Sequence, residues 1–432
     1  MRSPKFNISV KSTSGWEAAV LVTERYFCGN QKADQLLDAL PADFTGGQRA
    51  TCQSLFLGAL RFGHRTEAAL KGLVRKKTKS YIRAILLVTG FELLKASPDL
   101  HPKIIHHAVE RSKARINQFE QGFLNAVLRK LPNKLLKIDA KEDPAAFYSH
   151  PGWLVEHWAR VFPRNYQALL EWNQKTPTTY LKVYSENEPL PPTIVPTEWA
   201  QFHKLGSGAS WKDEVRPLLN QGKAYIKDPS TRLAPNLLAA QPGETVLDLC
   251  AAPGGKAFDL AHAMQQSGQI VTVDLPGKRI ERLRDNLRTL ASPSFTYEIV
   301  EADLLALSHA ALNAKSLPET YEAVMLDAPC SNTGVIQRRT DVKWRLKPTD
   351  IQQCAKLQLE LLEASAAFVK PGGRLVYSTC SIEAAENQEV VDAFLESEAG
   401  HEFSLSKKAI SLPWETNHDG AGAFLLTRHP TT

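Results

Sequence analysis

Two cysteines in polar surroundings carry the clearest chemical potential in the chain. Cys330 stands in Asp327-Ala-Pro-Cys330-Ser-Asn-Thr and Cys380 in Ser378-Thr-Cys380-Ser, each behind an apolar run, AVMLDA and RLVYSTC. Such runs read as buried strands, so both thiols are expected at strand ends. Taken singly, a cysteine is more often a core residue than a reactive one. A third thiol, Cys250, ends the run TVLDLC. It is followed by Ala251, Ala252, Pro253, Gly254 and Gly255, a turn that lets backbone approach a ligand, and by Lys256 at the opening of a helix, where a carboxylate can be met. The turn is not GxGxxG, which disfavours a dinucleotide and favours a nucleoside with a free carboxylate, such as S-adenosylmethionine. Asp274 ends the next run, 26 residues after Asp248, near the ~20-residue spacing at which an acidic residue takes ribose hydroxyls. Asp303 ends a third run and is placed to reach an adenine amino group. Each aspartate alone reads as a helix cap or loop residue.

Two thiols beside a methyl donor suit one reaction. Carbon 5 of a pyrimidine becomes nucleophilic only after a thiolate adds to carbon 6, and the adduct is released when a base removes the proton from carbon 5. The second cysteine is a candidate for that base. A carboxylate at N3 and the exocyclic amine would select cytosine, and Asp327 is the candidate for it.

The elements that must position these residues alternate in type. From about residue 223, strand runs TVLDLC, IVTVDL, AVMLDA and RLVYSTC are separated by helical stretches KAFDLAHAM, RIERLRDNLRTL and IQQCAKLQLELLEASAAFV. That alternation specifies a parallel sheet with right-handed crossovers, whose ligands bind beyond the carboxyl ends of the strands. Residues 16 to 131 show helical periodicity without strand alternation, with breaks at LPADFTGG, KASPDLHP and LPNK, giving six or seven helices. Between them, two amphipathic helices around WLVEHWARVF and NYQALLEWNQ precede NEPLPPTIVP, where proline argues against a regular element. The division expected is 1–135 all-α, 136–222 connecting and 223–432 catalytic.

The 432 residues, with 43% hydrophobic, 23% charged and a mean hydropathy of −0.27, describe an ordinary soluble chain with room for two or three domains. No run reaches a membrane-spanning length, and the start lacks the apolar core of a secretory leader, so a cytoplasmic location is expected. Six cysteines without CxxC suggest neither zinc nor a disulfide framework. Residues 1–135 hold 22 Lys and Arg against 10 Asp and Glu, the remainder 30 against 36. The densest piece includes Lys71, Arg75, Lys76, Lys77, Lys79 and Arg83. A basic front of this size points to a polyanionic partner, although one such run alone reads equally well as a solvated helix face.

Together DLCAAPGGK, VMLDAPCSNTG and YSTCSIEAAEN resemble the RNA cytosine-5 methyltransferase family of the RsmB/Sun type. HHAVERSK with GFLNAVLRKL resembles the NusB-like domain of its RsmB subgroup, and HPGWLVEHWARVF the start of that subgroup's connecting domain. The resemblance implies an α/β Rossmann-like methyltransferase domain with a mostly parallel sheet, behind an all-α NusB-like domain and a small connecting domain. It implies Cys380 as nucleophile, Cys330 in product release and Asp327 on the base. S-adenosylmethionine would be held by Cys250, Ala251, Ala252, Pro253, Gly254, Gly255, Lys256, Asp274, Arg279, Asp303 and Asp327. The implied partner is RNA, most of all small-subunit ribosomal RNA, with no metal and no membrane; a monomer is expected.

This chain departs from the pattern at several places. Asn332 stands where a glycine is usual, Thr340 where a proline is, Ala384 and Ala385 where a Pro-Glu pair is, and Lys182-Val183-Tyr184 where Arg-Val-Asn is. Lysine does not reproduce the two-pronged grip of arginine on phosphate. Arg338, Arg339, Lys343 and Arg345 with Trp344 are candidates for phosphate binding and base stacking, or form an exposed loop anchored by the tryptophan. Two other readings stay open: a transfer RNA methyltransferase, and a non-catalytic RNA-binding factor. A DNA cytosine-5 enzyme is less favoured, because it would assign attack to the Pro-Cys thiol, Cys330.

Overall fold

The computed structural model describes residues 14–431 except 76, 77, 186 and 291. The leader reading therefore falls largely outside the described residues, as do Lys76 and Lys77. The chain forms two compact units, one of residues 1–175 with 336–346, the other of 176–335 with 347–432. Residues 136–175 fall in the first unit and 176–222 in the second.

The first unit contains α1 (Gly15–Cys28), α2 (Ala33–Asp38), α3 (Gly46–Leu70), α4 (Ser80–Lys95), α5 (His101–Ser112), α6 (Gln118–Leu136), α7 (Pro144–Phe147), α8 (Gly152–Val161) and α9 (Tyr166–Gln174). Capping boxes Ser14/Glu17, Thr45/Gln48 and Asn117/Glu120 satisfy the free N–H groups that begin α1, α3 and α6. LPNK does not end a helix: α6 runs through Pro132, because Leu131 and Leu135 on either side are both buried in the helical core. Of the basic stretch, Lys79 pairs with Glu120 at 2.6 Å and Arg83 with Glu67.

Helix α15 (Val342–Arg345) belongs to this unit, which corrects the expectation for its neighbourhood. Lys343 is only 2% exposed, and its Nζ donates to the carbonyls of Arg61 and Ser149. Burial, then Arg61, pushes its pKa well below the ordinary lysine value. Trp344 donates from Nε1 to Leu60 O at 2.8 Å and stacks on His64 with ring centroids 3.7 Å apart. Arg345 pairs with Asp341 at 2.9 Å. Lys343 is buried in the helical unit with its ammonium spent on two carbonyls, and half-buried Trp344 packs against that unit's core, so the segment is not the exposed basic loop expected.

The second unit holds two sheets. Strands β1 (Tyr180–Val183), β2 (Ile194–Pro196), β3 (Phe202–Leu205) and β4 (Ala224–Ile226) form an antiparallel sheet in the order β2-β3-β1-β4. The proline-rich segment supplies β2 after all; as an edge strand it tolerates Pro196. Helices α10 (Arg216–Asn220) and α11 (Leu233–Leu238) lead to β5 (Thr245–Leu249), α12 (Gly255–Ala263), β6 (Gly268–Asp274), α13 (Lys278–Arg288), β7 (Phe295–Glu301), α14 (His309–Asn313), β8 (Tyr321–Asp327), α16 (Pro348–Ala366), β9 (Val369–Thr379), α17 (Gln388–Glu396), β10 (Phe403–Ser411), α18 (Pro413–Thr416) and β11 (Ala421–Arg428). The large sheet has the order β10-β11-β9-β8-β5-β6-β7, parallel from β9 to β7 with β10 and β11 antiparallel.

Both faces of this sheet are buried. Leu247 and Leu249 point into a core with Phe368 and Phe394, while Val246 joins Phe258 and Leu283 on the other side. This is why its strands read as continuous apolar runs. The chain proceeds from β5 to β6 and β7 in one direction and returns to β8 and β9 in the other, so the topological switch lies between β5 and β8. Ligands bind at that crevice in folds of this kind. The β10–β11 hairpin is an addition that the strand runs did not announce. By pairing Gly422 with Thr379 and Ala423 with Ser378, it makes β9 an interior strand up to the residue before Cys380.

Candidate active site

The Gly-rich turn is tied down through its carbonyls. Arg279 donates to Ala252 O, Asn286 Nδ2 to Pro253 O at 2.7 Å, and Lys227 Nζ to Gly255 O at 2.6 Å. Asp274 accepts from Ala252 N at 2.7 Å and from Leu275 N at 2.8 Å, which fixes the turn against the end of β6. The first-turn N–H groups of α12 have no carbonyls within the helix to satisfy them. Gly254 has φ +100°, and a Cβ there would lie 2.8 Å from Leu283 Cδ1. Gly254→Ala is expected to cost about 1–3 kcal/mol of stability and to loosen the cofactor turn. Urea unfolding and calorimetric titration with S-adenosylmethionine check this; a variant as stable and as tight-binding as wild type would show that the turn tolerates a side chain.

Around this turn sit three carboxyl groups. Asp248, on β5, is fully buried and neither of its oxygens has a hydrogen-bond partner among the described residues. Burial, then Asp327, raises its pKa well above the ordinary carboxyl value, with Asp274 adding to the rise and Lys256 opposing it. Cys250, at φ +57°, is pushed up to about 12 by burial and then by Asp274, Asp327 and Asp248. Lys256 Nζ pairs with Asp327 Oδ2 at 2.5 Å. Burial would lower Lys256, but Asp327, followed by Cys380 and Asp248, holds it above its usual value. Asp303 caps the short turn Leu304–Ala306 by accepting from Leu305 N at 3.1 Å.

The loops after β8 and β9 bring the two thiols together. In-register pairing sets Asp327 beside Ser378, whose Oγ donates to Asp327 Oδ1 at 3.0 Å. Cys330 Sγ and Cys380 Sγ lie 3.1 Å apart as free thiols. Asn332 has φ +64°, a left-handed position that explains why glycine is usual there and why Asn is tolerated. Its Nδ2 donates to Cys330 O at 2.7 Å, and its Oδ1 accepts from Cys380 Sγ at 3.3 Å. The contact with Cys380 raises the Cys330 pKa well above the ordinary thiol value, followed by burial and by the charges of Cys380 and Glu386.

Three groups escaped the sequence reading. Asp259, on α12, accepts from Lys182, from Lys227 and from the Tyr184 hydroxyl, at 2.9, 2.9 and 2.7 Å. Lys182 therefore faces a buried carboxylate and not a phosphate. Glu386, inside the quoted YSTCSIEAAEN, is fully buried against both cysteine loops, and Gln358 of α16 reaches it at 3.0 Å. Apart from Ser381 and Tyr377, which lie just before Glu386, the partners named for them are 28 or more residues away, so local spacing does not announce them.

A parallel sheet that gathers a glycine turn, strand-end aspartates and paired thiols at its switch point defines an S-adenosylmethionine-dependent methyltransferase. The cofactor carries two positive charges, on its sulfonium and ammonium, and an acidic edge whose Asp248 carboxyl lacks a hydrogen-bond partner among the described residues fits it. The model of the family described as 16S rRNA methyltransferase RsmB/F matches residues 235–418, and that of the NusB family residues 18–133. Ribosomal RNA small subunit methyltransferase B of Cronobacter sakazakii is 32% identical over 385 residues, covering 84% of this chain and 86% of that one. The probable ribosomal RNA small subunit methyltransferase B of Bacillus subtilis is 30% identical, covering 83% and 82%. The chain belongs to the RsmB/F methyltransferase family, with a NusB-type helical domain at its front. In fold it is similar to the crystal structure of PH0851, with a TM-score of 0.76 at 22% identity over 98% of this chain and all of that one. A methyltransferase homologue from Pyrococcus horikoshii gives a TM-score of 0.55 at 23% identity over 66% and 98%. Among the described residues, no helix is long and apolar enough to cross a membrane and no cluster of side chains could hold a metal ion.

Proposed function

We propose that the protein methylates carbon 5 of a cytosine in small-subunit (16S) ribosomal RNA through a covalent adduct with Cys380. The observation that carries this reading is the pair of free thiols 3.1 Å apart beside the Lys256–Asp327 ion pair. Substrate of this class places the enzyme in the cytoplasm. A base must leave its stack to reach a buried thiol, so a loop or single-stranded segment is the target.

Bound S-adenosylmethionine supplies an electrophilic methyl group. The α12 N-terminus would hold its carboxylate, and Asp274, Asp303 and Asp248 its nucleoside and cationic parts. The Cys380 thiolate adds to carbon 6, and the displaced electron pair makes carbon 5 the nucleophile for the methyl group. Asp327 contacts the base at N3 and the exocyclic amine, held in place by Lys256 and Ser378. Cys330 then takes the proton from carbon 5; the carbon 5–carbon 6 double bond re-forms and expels Cys380. The raised Cys330 pKa supports this order. Its leading cause is Cys380, so Cys330 keeps its proton while Cys380 is free. With the Cys380 sulfur tied up as a thioether that leading cause is gone, and Cys330 gives its thiol proton to water before it takes the one from carbon 5, with burial and Glu386 still opposing this loss.

The test is to incubate the protein with 16S ribosomal RNA and methyl-labelled S-adenosylmethionine and to map the label. 5-Methylcytosine at a discrete site is the expected outcome. Label only in transfer RNA would move the substrate class, and label on a ribose or an exocyclic nitrogen would overturn the thiol chemistry.

A further inference from the structure

One buried carboxylate joins the two cysteine loops. Glu386 Oε2 accepts from Ser331 N at 2.8 Å, and its Oε1 accepts from the hydroxyls of Ser331 and Ser381, the latter at 2.7 Å. Ser331 and Ser381 are the residues directly after Cys330 and Cys380. Gln358 Nε2 donates both to Glu386 Oε2 at 3.0 Å and to Pro329 O at 2.9 Å, on the other side of Cys330. The Tyr377 hydroxyl donates to Glu386 O at 2.6 Å, fixing the backbone beneath the carboxylate. Every donor in this set is buried, so each hydrogen bond would be costly to leave unmade.

The geometry points to Glu386, oriented by Gln358, as the positioning residue that sets the separation of the Cys330 and Cys380 sulfurs. The β8–β9 ladder ends at Asp327 and Ser378, before either cysteine. The loops beyond it are held by Gly334 N donating to Cys380 O at 3.1 Å, by Cys380 Sγ on Asn332 Oδ1 at 3.3 Å, by Thr333 Oγ1 with Ser381 Oγ at 3.0 Å and by Glu386, which bonds to the residue after each cysteine. The carboxylate bonds to Ser331 and Ser381 at once, next to both sulfurs. Glu386 touches no reacting atom and acts through the loops. Its relevance to methyl transfer rests on the proposed roles of Cys380 and Cys330, whereas its effect on the thiol pair can be measured without RNA.

Phenylarsine oxide is the probe: it joins two adjacent thiols to one arsenic with release of one water, and two sulfurs in contact suit it. The full chain and its Glu386→Ala and Glu386→Gln variants are titrated with it, each also checked for melting temperature and cofactor affinity. Wild type is expected to capture one arsenical that is lost when either Cys330 or Cys380 becomes alanine. Glu386→Ala should weaken capture about tenfold or more, the scale of one buried donor left unpaired. Glutamine at 386 can accept from Ser331 N and Gln358 while its amide donates to the two hydroxyls, so capture should stay within about threefold of wild type. In the methylation assay, Glu386→Ala should slow both adduct formation and release, by about 100-fold, with Gln restoring most of the rate.

Capture by Glu386→Ala equal to wild type overturns the inference, whatever the RNA assay gives. Capture lost in Glu386→Ala and kept in Glu386→Gln supports it, even if wild type methylates no RNA, an outcome that retires only the reaction proposed above. Should Glu386→Ala not fold, Gln358→Met and Ser381→Ala remove single donors; unchanged capture in both would equally overturn it.

Discussion

Cys330→Ala is expected to leave the protein covalently attached to its RNA. Methyl transfer proceeds to the adduct, and the step that fails is proton removal from carbon 5, slowed by the ~10²–10⁴-fold that a positioned base contributes. A denaturation-resistant protein–RNA band should accumulate, carrying one methyl group per adduct. Cys380→Ala, alone or with Cys330→Ala, should give no band and lose methylation by at least about 10⁴-fold, since no other group supplies the bond to carbon 6. The reverse pattern, with a band in Cys380→Ala that needs Cys330, would exchange the two roles. Asymmetry in surroundings argues for the first pattern. Cys330 is the thiol whose proton is held by the contact with its partner, by burial and by Glu386.

The catalytic half of the fold was legible because a sheet buried on both faces leaves its strands as uninterrupted apolar runs, and Cys250, Asp274, Asp327 and Cys380 mark where those runs stop. Side chains whose work is set by distant partners were not legible. Lys343 and Trp344 follow the Asp327–Thr333 stretch in sequence and carry RNA-binding chemistry, yet they pack against Leu60, Arg61, His64 and Ser149, some 190 to 280 residues earlier. Lys182 reads as a weakened phosphate grip because the sequence does not reveal that Asp259 lies opposite it. Pro132 shows the same limit in secondary structure: local propensity ends the helix, but burial of Leu131 and Leu135 carries α6 onward. Deleting residues 1–135 would also strip the surface that buries Trp344, so charge reversal at Lys71 and Arg75 is the cleaner probe of RNA binding.

Asp259→Ala should be the most destabilising single change at neutral pH. It removes the one carboxylate shared by two buried ammonium groups, Lys182 and Lys227, and breaking a buried pair in this way costs about 3–5 kcal/mol. The loss should depend on pH in a definite direction. In the wild type, burial pushes Lys227 down to about 8 against the pull of Asp259, while an unfolded lysine titrates near 10.5. The unfolded chain therefore binds more protons between these values, and Lys227 makes stability rise as pH climbs from about 8 toward 10.5. Burial would raise Asp259, but Lys227 and Lys182 hold it below the usual carboxylate value. Its contribution is present above the unfolded value of 3.8 and is lost as pH falls through the lower folded value. Without Asp259, Lys227 sheds its proton more readily in the folded state, so the gap between variant and wild type should narrow as pH rises from 7 to about 8, where wild-type Lys227 itself titrates, and then level off. Urea midpoints across that range decide it. A gap that stays constant would mean the lysines find another acceptor or water when Asp259 is gone, and that the carboxylate is not what keeps two positive charges inside the protein.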